Sequence, residues 1–364
     1  MRRTCILLGL LGSALGAQDA PFVEETPNRW IPAWEFKVQR ESIQLKNKDV
    51  WRTRSLLRLR WTLEGEGPFS AVVGSAHALG TDHNADNLAW FDDSASRGTW
   101  LDVAALRWKH LGPSTKATVE AGLVESPLLL SEAAWNPILR VIGAGGQVAW
   151  VGDGVFEEAS LRAVAGQVRL IAGGRVGIKG AQGVLRLATG PIQWTTFLGG
   201  LDLEPRQEDA PGFLRQNPGG TFTSGGGPYG GGSGTGYATL NYRYLFYGAG
   251  LGSQGPFPFE LKAQRLVHQE TKEVGEEFQA WVGSPRRTWW PQAGYVRQRL
   301  DPYGALASVN GDQWWFHANA DGQRYALALN LSARWRVEAS VVDQVKRGTT
   351  FVVRRGVITL LKRF

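Results

Sequence analysis

The sequence predicts an all-β protein, a transmembrane antiparallel β-barrel of about sixteen strands with one loop folded inward. Three observations point there. Apolar and polar residues alternate over segments of about 10–14 residues, longer than the 5–6 of ordinary strands and the length a tilted spanning strand needs. A short leader precedes a chain with no later run of about 18 uncharged apolar residues, which leaves strands as the only way to span a bilayer. The chain also ends inside a strand on an aromatic, Phe364. Among 364 residues, 47 Gly and 16 Trp suit many turns and aromatic girdles better than a helical bundle. The single Cys excludes a disulfide framework or a cysteine-built metal cluster.

The elements follow in chain order. Arg2 and Arg3 precede the apolar stretch Ile6 to Leu15, and Ala14-Leu15-Gly16 offers small residues for a signal peptidase. Residues 1–16 are therefore expected to be a signal peptide and 17–364 the barrel; Cys5 lies within the leader, which argues against a lipoprotein. The expected strands are 32–45, 51–64, 68–79, 98–110, 114–125, 143–152, 156–170, 174–188, 191–204, 236–250, 256–270, 275–284, 289–300, 320–331, 333–345 and 350–364. In the second, Leu57, Leu59, Trp61 and Leu63 oppose Arg58, Arg60 and Thr62. In the fifth, Ala117, Val119, Ala121 and Leu123 oppose Lys116, Thr118 and Glu120. Later copies set Phe259, Leu261 and Ala263 against Glu260, Lys262 and Gln264, then Tyr325, Leu327 and Leu329 against Arg324 and Asn330. The last two set Trp335, Val337 and Ala339 against Arg336 and Glu338, and align Gly356, Ile358, Leu360 and Phe364.

Aromatics gather near segment ends, at Trp30/Trp34, Trp100/Trp108, Tyr242/Tyr244/Phe246 and Trp289/Trp290, as interfacial girdles would require. The long connections 80–97, 126–142, 205–235 and 301–319 all fall on one side, opposite tight turns such as Gly112-Pro113 and Thr189-Gly190. A two-layer sandwich would also alternate. Strand length, aromatic placement and the terminal strand favour the barrel.

Residues 55–150 resemble the porin family of Gram-negative outer membranes, the 16-stranded general diffusion porins. The likeness runs through S-L-L-R-L-R-W, S-A-H-A-L-G-T-D-H-N-A-D-N, T-W-L-D-V-A-A-L-R-W, A-G-L-V-E-S-P-L and W-N-P-I-L-R-V-I-G-A. The closing strands G-Q-R-Y-A-L-A-L-N-L-S-A-R-W-R-V-E-A-S and the final Phe364 fit as well, while 155–300 matches only in style. The chain departs from the pattern at Asn136-Pro137, where relatives often carry an acidic residue. The resemblance implies a trimeric passive diffusion channel in the outer membrane, with Phe364 as the signal read by the barrel-insertion machinery.

If the apolar face meets lipid, the lumen receives Arg58, Arg60, Arg107, Lys109, Lys116, Arg186, Arg243, Lys262, Arg324 and Arg336, opposed by Glu120, Glu260 and Glu338. Such an excess of cations in a low-dielectric tube would attract anions. The alternative is that these arginines pair with carboxylates or contact lipopolysaccharide. The connection 126–142 is too apolar for a free external loop. It is expected to be the constriction, with Leu128–Leu130 and Trp135 on the wall and Glu132 and Arg140 facing the eyelet; a lid or subunit contact is the alternative. The Gly-rich connection 205–235 lacks the Lys and the strand–helix context of a phosphate loop and is expected to lie outside the cell.

Other chemistry finds little support. Asp82-His83-Asn84-Ala85-Asp86-Asn87 spaces oxygens somewhat like a calcium loop, without its glycine or flanking helices. The histidines His77, His83, His110, His268 and His317 show no metal spacing. No serine stands out as a nucleophile, so no enzyme and no cofactor are expected. The net charge of +7 is interleaved with apolar residues rather than grouped for nucleic acid. The reading is an outer-membrane porin passing small hydrophilic solutes with anion preference. The rival is a plugged barrel that binds at the surface or anchors a capsule.

Overall fold

The computed structural model describes residues 29–45, 48–65, 67–82, 98–137, 139–169, 175–205, 242–253, 255–284, 287–305, 314, 319–350 and 352–363. The expected leader 1–16, Phe364, residues 83–97 and residues 206–241 lie outside them. Sixteen strands follow one another: β1 (Arg29–Leu45), β2 (Lys48–Glu64), β3 (Phe69–Asp82), β4 (Gly98–Leu111), β5 (Thr115–Val124), β6 (Val141–Val151), β7 (Phe156–Arg169) and β8 (Arg175–Thr189). The chain continues through β9 (Ile192–Pro205), β10 (Tyr242–Ser253), β11 (Phe259–His268), β12 (Val274–Val282), β13 (Pro291–Leu300), β14 (Ala320–Asn330), β15 (Trp335–Lys346) and β16 (Val352–Arg363).

Each strand pairs antiparallel with its neighbours in sequence, and β1 closes on β16 from Glu35↔Arg363 to Gln44↔Arg354. The fold is a closed antiparallel barrel, as the alternation predicts. Closure matters because a strand edge facing hydrocarbon would leave backbone N–H and C=O groups unpaired at several kcal/mol each. β10 differs most from expectation: its described part runs 242–253 rather than 236–250.

β1 begins and β16 finishes at one end of the barrel, which also carries the Gly190-Pro191 turn, here the turn end; the other is the loop end. At the turn end Thr189 pairs with Ile192 across Gly190-Pro191, where Gly190 takes φ +59, a conformation that costs a Cβ-free residue little. Large apolar side chains cover the outer face: Leu106 is 70% exposed and Leu327 64%. A water-soluble surface would rarely carry so continuous an apolar belt. Strand length is uneven around the wall, from 17 residues in β1 and β2 to 9 in β12.

Candidate functional site: the barrel interior

The interior is organised by the connection between β5 and β6, residues 125–140. It enters from the loop end and lies against the inner wall. Leu128, Leu130, Ala133, Ala134, Trp135 and Leu139 are all buried in one cluster with Val176, Ile178, Leu201, Tyr244 and Phe246 of β8, β9 and β10. Burying leucine and tryptophan side chains at about 25 cal/mol per Å² of apolar surface is the driving force for this seat.

Polar wall side chains hold its backbone. The Leu129 N–H donates to Gln182 Oε1 at 2.8 Å, and Gln182 Nε2 donates back to the Leu129 carbonyl at 3.2 Å. The Ser131 N–H donates to Gln264 Oε1, and the Ala133 N–H to Glu277 Oε2 at 2.9 Å. Arg162 Nη1 donates to the Pro127 carbonyl at 3.0 Å. These partners stand on β7, β8, β11 and β12, so the segment runs along a third of the inner wall.

Two glycines make room for it. A Cβ on Gly180 would lie 2.7 Å from Leu128 Cδ1, and one on Gly145 would lie 3.1 Å from Pro127 Cδ. Gly183, on the same strand as Gly180, has nothing nearer than Leu161 at 3.9 Å. Gly180→Val is expected to lift Leu128 and lower stability by roughly 1–3 kcal/mol, with Gly183→Ala near neutral. Thermal unfolding in detergent, followed by far-UV circular dichroism, measures both.

Ion pairs pin the segment at both ends. At its root, Arg140 Nη2 lies 3.1 Å from Asp102 Oδ1 and 3.2 Å from Glu125 Oε1. Arg60 Nη2 reaches Glu125 at 2.6 Å and Asp102 at 3.7 Å, and Arg58 lies between Glu35 at 3.6 Å and Asp102 at 3.9 Å. At its tip, Arg324 Nη1 of β14 donates to Glu132 Oε2 at 3.0 Å. Above the root, Glu41 is fully buried between Arg54 and Arg355, the latter at 2.9 Å.

The predicted charged residues fall out as follows. Arg58, Arg60, Arg107, Lys109, Lys116, Arg186, Lys262, Arg324 and Arg336 all project inward. Arg107 pairs with Glu120, Lys109 with Glu64 at 3.8 Å, Arg186 with Glu158 at 3.2 Å, Lys262 with Glu260 at 2.7 Å and Arg336 with Glu338 at 3.3 Å. Among the described residues Lys116 is an inward cation without an ion-pair partner.

Three expectations need correction. Arg243 faces outward: Tyr242, Tyr244 and Phe246 turn in to meet the inward segment, which sends Arg243 outside to Asp202 at 3.4 Å. The same inversion removes those three aromatics from any outer girdle. Glu132 and Arg140 do not face open water, because both are buried in their ion pairs. The expected excess of ten cations over three anions also disappears. Alternation alone overlooked Glu35, Glu41, Asp102, Glu125, Glu158 and Glu277, which stand inside.

Some of these had a visible signal. Glu35 and Glu41 sit at alternate positions of β1, on the face shared with Lys37 and Gln39. Asp102 had none, since a register shift opposite Gly74/Ser75 turns it inward. On the turn side of the segment a chamber of about 470 Å³ is lined by Leu129, Ser131, Arg186, Lys262, Glu277 and Trp281, among others.

No protein-family model matches the chain, and no curated protein does. Solved barrels do share its fold. OprB of Pseudomonas putida at high pH superposes with a TM-score of 0.61 at 9% identity, over 92% of this chain and 94% of that one. The low-pH form of OprB gives 0.53 at 8% identity, over 92% of both chains. OmpF of Salmonella typhi, in complex with daunomycin, gives 0.55 at 8% identity over 93% of this chain and 98% of that one. The shared feature is architecture: this chain has the sixteen-stranded closed barrel of outer-membrane porins.

Proposed function

We propose that the protein is an outer-membrane channel through which small hydrophilic solutes diffuse passively, reached by export through the leader 1–16. The observation that carries this is the asymmetric filling of the lumen. The tip and middle of the inward segment are packed on β8 to β10, while beside its root β1 and β2 present the half-buried charged side chains Glu35, Arg58 and Arg60 as a wetted surface. Apolar residues outside and ionic residues inside are what a bilayer-embedded pore requires. No cofactor or energy coupling enters this reading.

Anion preference is the finer part of the proposal, and it is weak. Around the root of the segment five arginines (Arg54, Arg58, Arg60, Arg140 and Arg355) and Lys37, on the same face of β1, stand with four acids (Glu35, Glu41, Asp102 and Glu125), an excess of two positive charges. Paired charges cancel at a distance, so that residue of charge and the unpaired inward Lys116 are what bias a passing ion.

Planar-bilayer recording in a KCl gradient tests both parts. Steady conductance with a small reversal potential of anionic sign is expected. The Arg58→Glu, Arg60→Glu variant turns the local excess negative and is expected to reverse that sign. Absence of steady current would favour a plugged barrel, and cation preference in the unaltered chain would contradict the charge assignment.

A further inference from the structure

The outer face of β11 to β13 carries charge unusually close to the turn end. Arg265 lies six residues past Phe259, Glu276 six before Val282, and Arg297 six past Pro291. On the neighbouring β9 and β10 the first outward charges, Asp202 and Arg243, lie ten residues from that end. With strands tilted by about 40°, six residues climb roughly 15 Å and ten roughly 25 Å. The charged ring therefore dips by about 10 Å over three strands, to a height where its neighbours are still apolar.

A hollow of about 700 Å³ opens at this dip. Its outward lining combines small residues, Ala249 and Ala263, with the aromatic flanks Tyr247 and Phe278 and the side chains of Arg265, Arg297 and Arg299. The one outward acid there, Glu276, pairs with Arg265 at 3.3 Å. Arg299 reaches Asp301 only at 4.0 Å, and that carboxylate is held more closely by Arg347. Arg297 is exposed and has no ion-pair or hydrogen-bond partner among the described residues. Three cations thus line the apolar trough with one acid, while Asp321 of β14, opposite Arg299 in register, lies 3.6 Å from Arg347.

We infer that this hollow binds a phosphate-bearing anionic lipid of the surrounding leaflet. An acyl chain would lie over Ala249 and Ala263 between Tyr247 and Phe278, while the phosphate meets the guanidinium groups of Arg297 and Arg299. The charge argues for this occupant. A guanidinium at hydrocarbon depth is costly unless an anion meets it, and a phosphate accepts from its fork in bidentate fashion. Glu276, the one acid lining the hollow, is already engaged by Arg265, so the occupant itself must supply the negative charge. The inference rests on the membrane reading above.

Native mass spectrometry of the full chain, folded in detergent, tests it with dioleoylphosphatidylglycerol and dioleoylphosphatidylcholine as probes. One phosphatidylglycerol is expected to remain bound under activation that strips phosphatidylcholine. Arg297→Gln with Arg299→Gln is expected to weaken that retention roughly tenfold, as the loss of two charge-assisted contacts implies. Ala263→Leu, which fills the trough and leaves the arginines, is expected to weaken it too, whereas Arg243→Gln leaves it unchanged. Equal retention of the two lipids, or indifference to the double substitution, would overturn the site. So would a protein dimer in place of the lipid adduct, or inorganic phosphate displacing the lipid fully. A chain that folds as a monomer without detergent would instead end the membrane reading itself.

Discussion

Deleting residues 128–135 is expected to raise single-channel conductance roughly twofold, because ion flow follows the open cross-section of the lumen. The barrel should survive the deletion. Val124 and Val141 are directly paired across β5 and β6, so the ends to be joined are neighbours. What remains, 125–127 and 136–140, is ample for a hairpin connection. The root ion pairs of Arg140 with Asp102 and Glu125 also remain. The cost falls on the inner wall, where Ile178, Leu201, Tyr244 and Phe246 lose their cover and face water. A lower unfolding temperature should therefore accompany the larger conductance. Unchanged conductance would mean that the passage is set elsewhere.

That exposed wall also explains which parts of the molecule were legible in the sequence. Period-two alternation reports which face of a strand avoids water, and it located fifteen of the strands closely. It does not report what the dry face touches. In β2 the dry face, Leu57 to Leu63, meets the outside, and Arg58 and Arg60 point the other way, toward Glu35 and Glu125. In β10 the run Tyr242-Arg243-Tyr244-Leu245-Phe246-Tyr247 is apolar on both faces. The inward segment claims one face and the outside takes the other, and nothing local ranks them. Arg243 was misplaced for that reason. The ion pairs were hidden for a different one: Glu132 and Arg324 are 192 residues apart. Polarity marked each as inward-facing, but only closure of the barrel brings them together.

Replacing Arg324 by Met is expected to be strongly destabilising, at about 3–5 kcal/mol, because it removes the counter-charge of a buried carboxylate. Arg324 is the cation that Glu132 meets at the tip, and Glu277 and Glu338 act on the same guanidinium. Glu277 accepts from the Ala133 N–H and from Gln279 and Gln298, at 2.6 Å and 3.2 Å, but as a carboxylate it offers Glu132 no counter-charge. Loss of Arg324 should free the tip while the root stays tied, giving a noisier current with little change in its mean. The double variant Glu132→Met, Arg324→Met separates charge from packing. Removing both partners takes away the Glu132 charge together with its cation, while Glu277 keeps its hydrogen bonds from Ala133, Gln279 and Gln298, so part of the lost stability should return. Thermal unfolding of the two single variants and the double variant closes the cycle. If the double variant is as unstable as the sum of the singles, the pair does not hold the tip, and packing of Leu128, Leu130 and Trp135 alone must do so.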